Sequence, residues 1–418
     1  DGRAAPRPAL PRTASLPPWR TASPGERLLL ANGFFSNGSP SRCMSDSDAD
    51  ASALSETRSP GRVSSLNPNL DPSPPRRRSP DGVDAYVEKI RDGDRAALSR
   101  AITLIESTRA EHQATAREIL HACLAHRSAS IRVGITGVPG VGKSTFIERL
   151  GTQLVDEGHR LAVLAIDPSS ERTKGSILGD KTRMGALTQR EDVFIRPSPT
   201  AGSLGGVARK TRETILLCEA AGYDTIFVET VGVGQSETTV HSMVDFFLLL
   251  ALAGAGDELQ GIKRGIVEMA DAIAINKADG ENKRAAEQAK QEYERALHLF
   301  PAPETGWEPP VLTCSARTGE GVSAVWDAVV DFEEQMKAAG HFQEKRSEQA
   351  RYWMYQTIEH RLKQDFFASD AVQSRIDEIE AKVRDGRLSS FVAAEQLLDA
   401  YRRGGRADSA SASGSSAQ

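Results

Sequence analysis

The sequence predicts an α/β fold of the P-loop NTPase type, with a mostly parallel sheet flanked by N-terminal helices and a C-terminal helical extension. Three observations predict it. Between residues 130 and 335, six short apolar runs alternate with amphipathic segments, as in strands that are buried on both faces and joined by helices. A glycine-rich phosphate-binding motif follows the first run. Helical periodicity dominates on either side of this region.

The six apolar runs are each short enough to be one buried strand of such a sheet. They are IRVGIT (131–136), LAVLAID (161–167), TIFVET (225–230), VDFFLLLALA (244–253), AIAINK (272–277) and PVLTCS (310–315).

The segments around this core differ in composition. Residues 1–80 are rich in Pro, Ser and Arg and show no helical or strand period, so they are expected to be a disordered extension. Helical periodicity predicts an N-terminal helical segment over 83–128, before a P-loop domain over 129–340. A C-terminal helical dimerisation segment is expected over 341–403. A Gly/Ser/Ala-rich disordered tail is expected over 404–418.

Two parts of this division have alternatives. Met44 begins an acidic stretch typical of a natural amino terminus, so residues 1–43 are interpreted as an upstream or processed segment. Arg and Ser enrichment there also fits a mitochondrial transit peptide, although the prolines disfavour an amphipathic helix. In the long C-terminal helix, Trp353, Ile358 and Leu362 share one face, which serves either the core of one chain or a dimer interface.

Bulk properties exclude several classes of protein. The 418 residues carry a net charge of −5, which argues against broad binding to nucleic acid or anionic membranes. No apolar stretch reaches the ~18 residues that a membrane span needs. The four cysteines lack a CxxC pair and are interpreted as free thiols in a reducing compartment. The expected location is therefore cytoplasmic, or the mitochondrial matrix if 1–43 is a transit peptide.

The first functional motif is GVPGVGKST, which matches G-x-x-x-x-G-K-[ST] between a predicted strand and a helix. Its glycines let backbone N–H groups point at phosphate oxygens, and the helix start adds a favourable dipole. The lysine supplies positive charge to the β- and γ-phosphates, and the serine hydroxyl can bind Mg²⁺. The predicted phosphate-binding residues are Gly137, Val138, Pro139, Gly140, Val141, Gly142, Lys143, Ser144 and Thr145.

The second motif, NKAD, follows the AIAIN run and has the N-K-x-D form of a guanine reader. Asp279 can accept hydrogen bonds from N1–H and the exocyclic amine of guanine, whereas adenine lacks this donor pair. Asn276 can brace the neighbouring loop, and the stem of Lys277 can lie over the base. The motif favours GTP over ATP.

A third stretch, CSAR, follows the last predicted strand and resembles the loop whose backbone contacts the guanine oxygen. Ser315, Ala316 and Arg317 are therefore added to the predicted base site. Placed after a P-loop and an NKAD motif, this loop strengthens the assignment of guanine.

Acidic residues at two strand ends predict a Mg²⁺ site. Glu229 opens an E-x-x-G sequence in the position where many GTPases have D-x-x-G, so its carboxylate can hold Mg²⁺ through water. Asp167 follows another strand and faces the same edge, and Asp180 lies nearby in the sequence LGDKTRM. For Asp180 a helix cap or a solvated acid is the alternative.

Long stretches beyond these motifs carry a family resemblance. They include AIDPSSERTKGSILGDKTRM, IRPSPTAGSLGGVARKTRETILLCEAAGYD, VETVGVGQSE and GAGDELQGIKRGIVEMAD. From Val83 to Tyr401 the chain resembles the methylmalonyl-CoA mutase-associated GTPases, also known as LAO/AO transport-system ATPases, which include the methylmalonic aciduria type A protein.

The resemblance implies a homodimer with helical extensions and a partner, the adenosylcobalamin-dependent methylmalonyl-CoA mutase or a related acyl-CoA mutase. It implies a GTPase that gates cobalamin delivery to this enzyme and protects or reactivates it. Its cofactors would be GTP and Mg²⁺, the latter at Ser144, Asp167, Asp180 and Glu229.

The resemblance also implies three mobile segments: a first switch from Asp167 to about Met184, a second from Glu229 to about His241, and a third loop at 254–265. In that loop Asp257 and Lys263 would be the key charges, and Lys263 would join Lys143, Asp180 and Glu229 as a catalytic residue. A rigid capped turn is the alternative for the third loop.

Two other functions fit the sequence less well. The older family description favours an ATPase or kinase linked to basic amino-acid (lysine, arginine, ornithine) transport, but NKAD and the absence of an apolar anchor disfavour it. A metal-insertion GTPase would need a Cys/His cluster near the nucleotide, which the sequence lacks. His241, at the end of the second switch, is expected to be a surface residue.

Overall fold

A seven-stranded parallel sheet forms the centre of the part of the chain that the computed structural model describes, residues 82–166, 184–197, 204–230, 236–254 and 264–414. The strand order is β3-β2-β4-β1-β5-β6-β7, which places β1 between β4 and β5. The strands are β1 (Ile131–Thr136), β2 (Leu161–Ile166), β3 (Val193–Arg196), β4 (Thr225–Thr230), β5 (Phe246–Leu252), β6 (Ala272–Asn276) and β7 (Val311–Thr313).

All six predicted strands belong to this sheet, and their ends differ from the prediction by at most two residues. The prediction missed β3, which pairs only with β2 among the described strands and lies at the edge. With four residues between Asp192 and Pro197, it is too short to show a period.

Helices cover both faces of the sheet and continue beyond it. Short 3₁₀ turns occur at Leu124–His126 and Gly280–Asn282. The α-helices of the described residues are α1 (Val83–Arg91), α2 (Arg95–Glu106), α3 (Ala110–Cys123), α4 (Lys143–Asp156), α5 (Gly185–Thr188), α6 (Leu204–Ala220), α7 (Ser236–His241), α8 (Arg264–Met269), α9 (Lys283–Leu297), α10 (Val322–Ala339), α11 (His341–Ala368), α12 (Asp370–Arg384) and α13 (Ser390–Gly414).

The alternation of side chains along β5 divides the core into two layers. On one face, Phe246 and Leu248 join a cluster with Leu150 of α4 and Phe332 of α10, where the rings of Phe246 and Phe332 meet edge to face at 5.1 Å. On the other face, Phe247 joins the cluster built by α6 and the N-terminal helices. Because both faces of the sheet are covered, most strands appear in the sequence as continuous apolar runs.

The N-terminal helices α1–α3 lie within the predicted 83–128 segment and are part of the main core. The apolar residues that predict helix spacing are all buried on α2: Ala97, Leu98, Ala101, Ile102 and Ile105. Asp94 begins α2 by accepting hydrogen bonds from the N–H groups of Ala96 and Ala97. This segment therefore buries its apolar face in the same cluster as α6.

Aspartates join neighbouring strands at the amino edge of the sheet. Asp245, just before β5, accepts a hydrogen bond from the N–H of Arg132 at 2.9 Å and returns its own N–H to the Arg132 carbonyl. Asp271, just before β6, forms the same reciprocal pair with Phe247. Asp224, before β4, pairs in this way with Arg160. Each carboxylate thus satisfies a strand-end N–H that would otherwise lack a partner.

The same aspartates anchor helix α11. Arg346 donates from Nε to Asp245 Oδ1 at 2.8 Å, and its guanidinium also reaches the Ser130 carbonyl. Lys345 lies 3.7 Å from the Asp271 carboxylate. These ion pairs fix the start of α11 against the amino edge of the sheet.

The C-terminal helices extend further than the sequence predicts. Helix α13 continues to Gly414, whereas a disordered tail was expected from residue 404. Residues 404–414 contain three alanines, three glycines and three serines, so their composition gave no signal that the helix continues. None of the helices in the described ranges is long and apolar enough to cross a bilayer. The predicted disordered segment 1–80 lies outside those ranges.

Asp245→Ala is expected to lower the free energy of unfolding by about 3–5 kcal/mol, because it leaves the partly buried guanidinium of Arg346 and the N–H of Arg132 without their acceptor. Urea denaturation followed by circular dichroism measures this loss. Asp385→Ala, which removes the exposed partner of Arg387, is the control and should change stability by less than about 0.5 kcal/mol. A loss below about 1 kcal/mol for Asp245→Ala would show that the amino edge does not depend on this carboxylate.

Candidate nucleotide-binding site

The phosphate-binding loop, residues 137–142, connects β1 to α4 at the carboxyl edge of the sheet. Gly137 has φ of +146°, and a Cβ there would lie 2.3 Å from the carbonyl oxygen of Leu250 on β5. Gly142, in the left-handed conformation, begins α4, and a Cβ there would lie 2.8 Å from Nδ2 of Asn276. These glycines are required because the loop runs directly against β5 and against the Asn276 side chain.

Lys143 lies in the first turn of α4 and is buried. Its ammonium group donates to the carbonyl oxygens of Gly137 at 2.7 Å and Val138 at 3.2 Å. Burial lowers the pKa of Lys143 below its ordinary value, while the carboxylates of Glu229 and Glu237 act in the opposite direction. The positive charge is therefore held within the loop, where phosphate oxygens would replace carbonyl oxygens as acceptors.

Ser144 and Glu229 meet beside this lysine. The Ser144 hydroxyl donates to Oε1 of Glu229 at 3.0 Å, and Glu229, in β4, is largely buried. The two other predicted Mg²⁺ ligands, Asp167 and Asp180, lie outside the described residues. Within the described ranges, no group of three or more His, Cys, Asp or Glu side chains is placed to hold a metal.

Asn276, at the end of β6, links the phosphate loop to the base loop. Its Nδ2 donates to the carbonyl of Val141 at 2.8 Å, and its Oδ1 accepts from the N–H of Ala316 at 3.0 Å. The residue is 1% exposed. Its amide thus joins the two loops, as the sequence predicts for the asparagine of NKAD.

A cavity of about 510 Å³ opens beside Gly142 and Thr145, and its walls come from the predicted base-binding residues. They are Asn276, Lys277, Asp279, Ser315, Ala316 and Arg317, together with Asn282. This cavity adjoins the phosphate loop, so one nucleotide can reach both.

Lys277 and Asp279 project from the loop that follows β6. Lys277 has a left-handed backbone, with φ of +60°, and its ammonium donates to the Gly140 carbonyl at 2.8 Å. The Asp279 side chain is 11% exposed and forms an ion pair with the guanidinium of Arg317. Asp279 therefore already accepts from a planar donor group inside the cavity.

The loop after β7 is held from two sides. Arg149 of α4 donates to the carbonyl of Arg317 at 3.0 Å, and the Ser315 hydroxyl accepts from the N–H of Thr318 at 3.2 Å. The sequence predicted a backbone contact from this loop to the guanine oxygen. In the structure the N–H of Ala316 is taken by Asn276, as described above.

Two residues near the site were missed by the sequence analysis. Glu237, 3% exposed on α7, lies close enough to act electrostatically on Lys143. In the sequence, Glu237 could have been found as the last residue of the VETVGVGQSE stretch, which contains Glu229. Arg149 faces outward from α4 two turns after the phosphate loop, and only the folded chain brings it to Arg317.

The three predicted switch segments are described only at their ends. Residues 167–183, 231–235 and 255–263, with Asp257 and Lys263, lie outside the described ranges. The expectation that His241 is a surface residue was wrong. Its ring is partly buried and meets Phe247 edge to face at 5.6 Å, because α7 packs against β5 at this point.

With this geometry established, comparison with known proteins identifies the family. The model of the family described as Methylmalonyl Co-A mutase-associated GTPase MeaB matches residues 98–371. The chain belongs to this family. The matched residues include the phosphate loop and the residues that line the cavity described above.

Individual relatives agree with this assignment. GTPase ArgK of Escherichia coli is 45% identical over 313 residues, which cover 75% of this chain and 95% of that protein. The mouse protein named methylmalonic aciduria type A homolog, mitochondrial, is 46% identical over 330 residues, covering 77% of this chain and 80% of its own. A crystal structure of an LAO/AO transport system kinase superposes with a TM-score of 0.61 at 38% identity, covering 77% of this chain and 98% of that one.

MeaB-family membership and the fold show that the chain is a P-loop GTPase. GTP is its nucleotide, and hydrolysis of GTP is the activity of the family. The resemblance that the sequence analysis found is confirmed.

His241 is expected to make stability depend on pH. Burial, together with the positive charge of Lys345, lowers the pKa of His241 to about 4. The unfolded chain takes up this proton near pH 6.5, whereas the folded chain takes it up only near pH 4. Stability is therefore fully present above about pH 6.5 and falls as the pH drops towards 4, by up to about 3 kcal/mol.

The measurement is the free energy of unfolding between pH 7 and pH 4 for the wild-type protein and for His241→Gln. The variant should lose this part of the pH dependence, and His298→Gln, at an exposed site, should keep it. Parallel pH curves for the wild-type protein and His241→Gln would contradict the assignment.

Proposed function

We propose that this GTPase is a Mg²⁺-dependent chaperone that gates adenosylcobalamin delivery to a methylmalonyl-CoA mutase-type enzyme and protects or reactivates it. The observation that carries the GTPase part is the base cavity with the largely buried Asp279, joined to the phosphate loop through Asn276. The mutase part is supported by the printed description of the family and by the mouse relative named for methylmalonic aciduria.

In this proposal the phosphates lie in the cradle of residues 137–145. Lys143 would exchange its carbonyl partners for phosphate oxygens, since its ammonium lies on the inside of the loop. Asp279 would accept from N1–H and the exocyclic amine of guanine. Lys277 would cover the base, because it lines the cavity and its ammonium is held at the Gly140 carbonyl.

The oxygen atoms of Ser144 and Glu229 fit Mg²⁺, which prefers hard oxygen ligands. In the structure they are hydrogen-bonded to each other at 3.0 Å beside the phosphate loop. Ser144 would hold the ion directly, and Glu229 would hold it through water, with Asp167 and Asp180 of the first switch completing the site. The ion would offset phosphate charge during hydrolysis.

The proposed link to the partner runs through the switch segments and the third loop, 254–265. Asp257 and Lys263 would change partners when the mutase docks, and Lys263 would join Lys143, Asp180 and Glu229 in the active state. This part of the proposal rests on the family resemblance. The structure supports it only in that β5, which leads into the loop, is hydrogen-bonded to β1 directly beside the P-loop.

A homodimer is part of the proposal, and helix α11 supports it. Trp353, 8% exposed, faces the core, so the prediction that it shares a face with Ile358 and Leu362 was wrong. Tyr355, Ile358 and Leu362 are 46–59% exposed at helical spacing on another side. Tyr352, Met354 and Phe367 of the same helix are also exposed, and apolar surface of this extent fits a second copy of the chain.

A second candidate function is favoured by the name of the solved relative, an LAO/AO transport system kinase. It is nucleotide hydrolysis or phosphoryl transfer linked to basic amino-acid transport. Asp279 distinguishes the two, because its carboxylate has no donor pair to bind on adenine. Tight binding of ATP in preference to GTP would favour the second candidate.

Asp279→Asn is expected to exchange guanine for xanthine preference, since xanthine presents an oxygen where guanine presents its amine and an amide can donate to it. Fluorescence titration with GDP and XDP measures the change. We expect GDP affinity to fall by at least about tenfold, as for the loss of a charged hydrogen-bonding partner. Unchanged GDP affinity would contradict the base assignment.

Mixing the protein with adenosylcobalamin-dependent methylmalonyl-CoA mutase is expected to raise its GTPase rate by about 10³-fold, as activators do when they complete a GTPase site. Phosphate release is measured with and without the mutase, and light scattering on the same samples gives the mass of each species. No acceleration would remove the coupling to the mutase. A single-chain mass for the protein alone would contradict the homodimer.

A further inference from the structure

We propose that Arg317 is an intramolecular competitor of guanine: its guanidinium occupies Asp279 and must leave before the base can bind. The inference rests on the proposed contact between Asp279 and guanine. It concerns how readily nucleotide enters and leaves the site, which the proposed function does not address.

The competition follows from the chemistry of the two groups. Guanine offers Asp279 an N1–H and an exocyclic amine, which are parallel N–H donors on one planar edge. The guanidinium of Arg317 also offers parallel N–H donors on a planar fork. In the structure Nη2 of Arg317 contacts Oδ2 of Asp279. One carboxylate cannot serve both groups in the same position.

The burial of the two partners indicates which one moves. The Asp279 side chain is 11% exposed, whereas the Arg317 side chain is 81% exposed. Arg317 can therefore rotate into solvent with little loss of packing. Its backbone stays in place, because Arg149 donates to the Arg317 carbonyl and Asn276 accepts from the neighbouring Ala316 N–H.

A second location is available to the displaced guanidinium. A groove of about 820 Å³ adjoins the same loop and is lined by Arg317 itself, by Glu148 and Asp156 of α4, and by Glu157, which follows α4. Each of these carboxylates already has a partner: Glu148 accepts from the N–H of Ala186, Asp156 pairs with Arg190, and Glu157 accepts from Gln153. The displaced guanidinium thus has an open groove beside it in which these carboxylates contribute negative charge, and its release from Asp279 does not require a new ion pair.

The consequence is a lower apparent affinity for every guanine nucleotide. Only molecules in which Arg317 has left Asp279 can accept the base, so the dissociation constant rises by the inverse of that fraction. The effect falls on the association rate, because the competitor acts before binding. It applies equally to GTP and GDP, since both present the same base.

The test measures association and dissociation rate constants of a ribose-labelled fluorescent GDP by stopped flow. Arg317→Ala is expected to tighten GDP binding about threefold to fivefold, the range for removing an ion pair with one exposed partner. The gain should lie in the association rate constant. Arg317→Lys, which keeps the charge without the planar fork, should fall between the two. The control Arg284→Ala removes an exposed guanidinium of α9 outside the cavity lining and should leave both constants unchanged.

The Asp279→Asn background separates this inference from the base assignment. There Arg317 has no carboxylate to occupy, so Arg317→Ala should not change the affinity for XDP. An equal gain in that background would overturn the competition, as would unchanged or weaker GDP binding by Arg317→Ala in the wild-type background. If Asp279→Asn itself fails to move preference to xanthine, the base assignment is wrong.

Discussion

The site depends on one buried side-chain amide, that of Asn276. A phosphate loop and a base loop that come from opposite ends of the domain sequence must be held a fixed distance apart to bind one nucleotide. Asn276 does this with two hydrogen bonds, one to each loop. Gly142 makes room for it, since a Cβ at that position would collide with the amide nitrogen. The position of Asn276 in the base motif therefore requires a glycine at position 142 of the phosphate motif.

The amino ends and the carboxyl ends of the strands have different roles. At the amino edge, Asp224, Asp245 and Asp271 pair reciprocally with the neighbouring strands, and Asp245 also receives Arg346 from α11. At the carboxyl edge the strands end in loops whose polar groups face a cavity. In a parallel sheet the ligand site lies at the carboxyl ends of the strands. The contacts that hold the amino ends together therefore do not obstruct the ligand site.

The sequence predicted the sheet and the nucleotide motifs because both depend on local patterns. Buried strands give apolar runs, and the phosphate loop and NKAD are contiguous residues whose chemistry follows from their order. Three features could not be predicted, because they leave no pattern in the local sequence. The four-residue β3 has no measurable period, Glu237 is brought to Lys143 only by the fold, and the pairing of Arg317 with Asp279 joins residues 38 positions apart. Exposure was also misjudged at His241, because a six-residue helix shows too little pattern to reveal its buried side.

Strand β5 connects the amino end of the sheet, at Asp245, to the carboxyl end beside the phosphate loop. It is seven residues long, about 23 Å, and is hydrogen-bonded to β1 on one side and β6 on the other. Because its neighbours hold it on both sides, β5 fixes the distance between its carboxyl end, beside the phosphate loop, and Asp245, which anchors the start of α11 through Arg346.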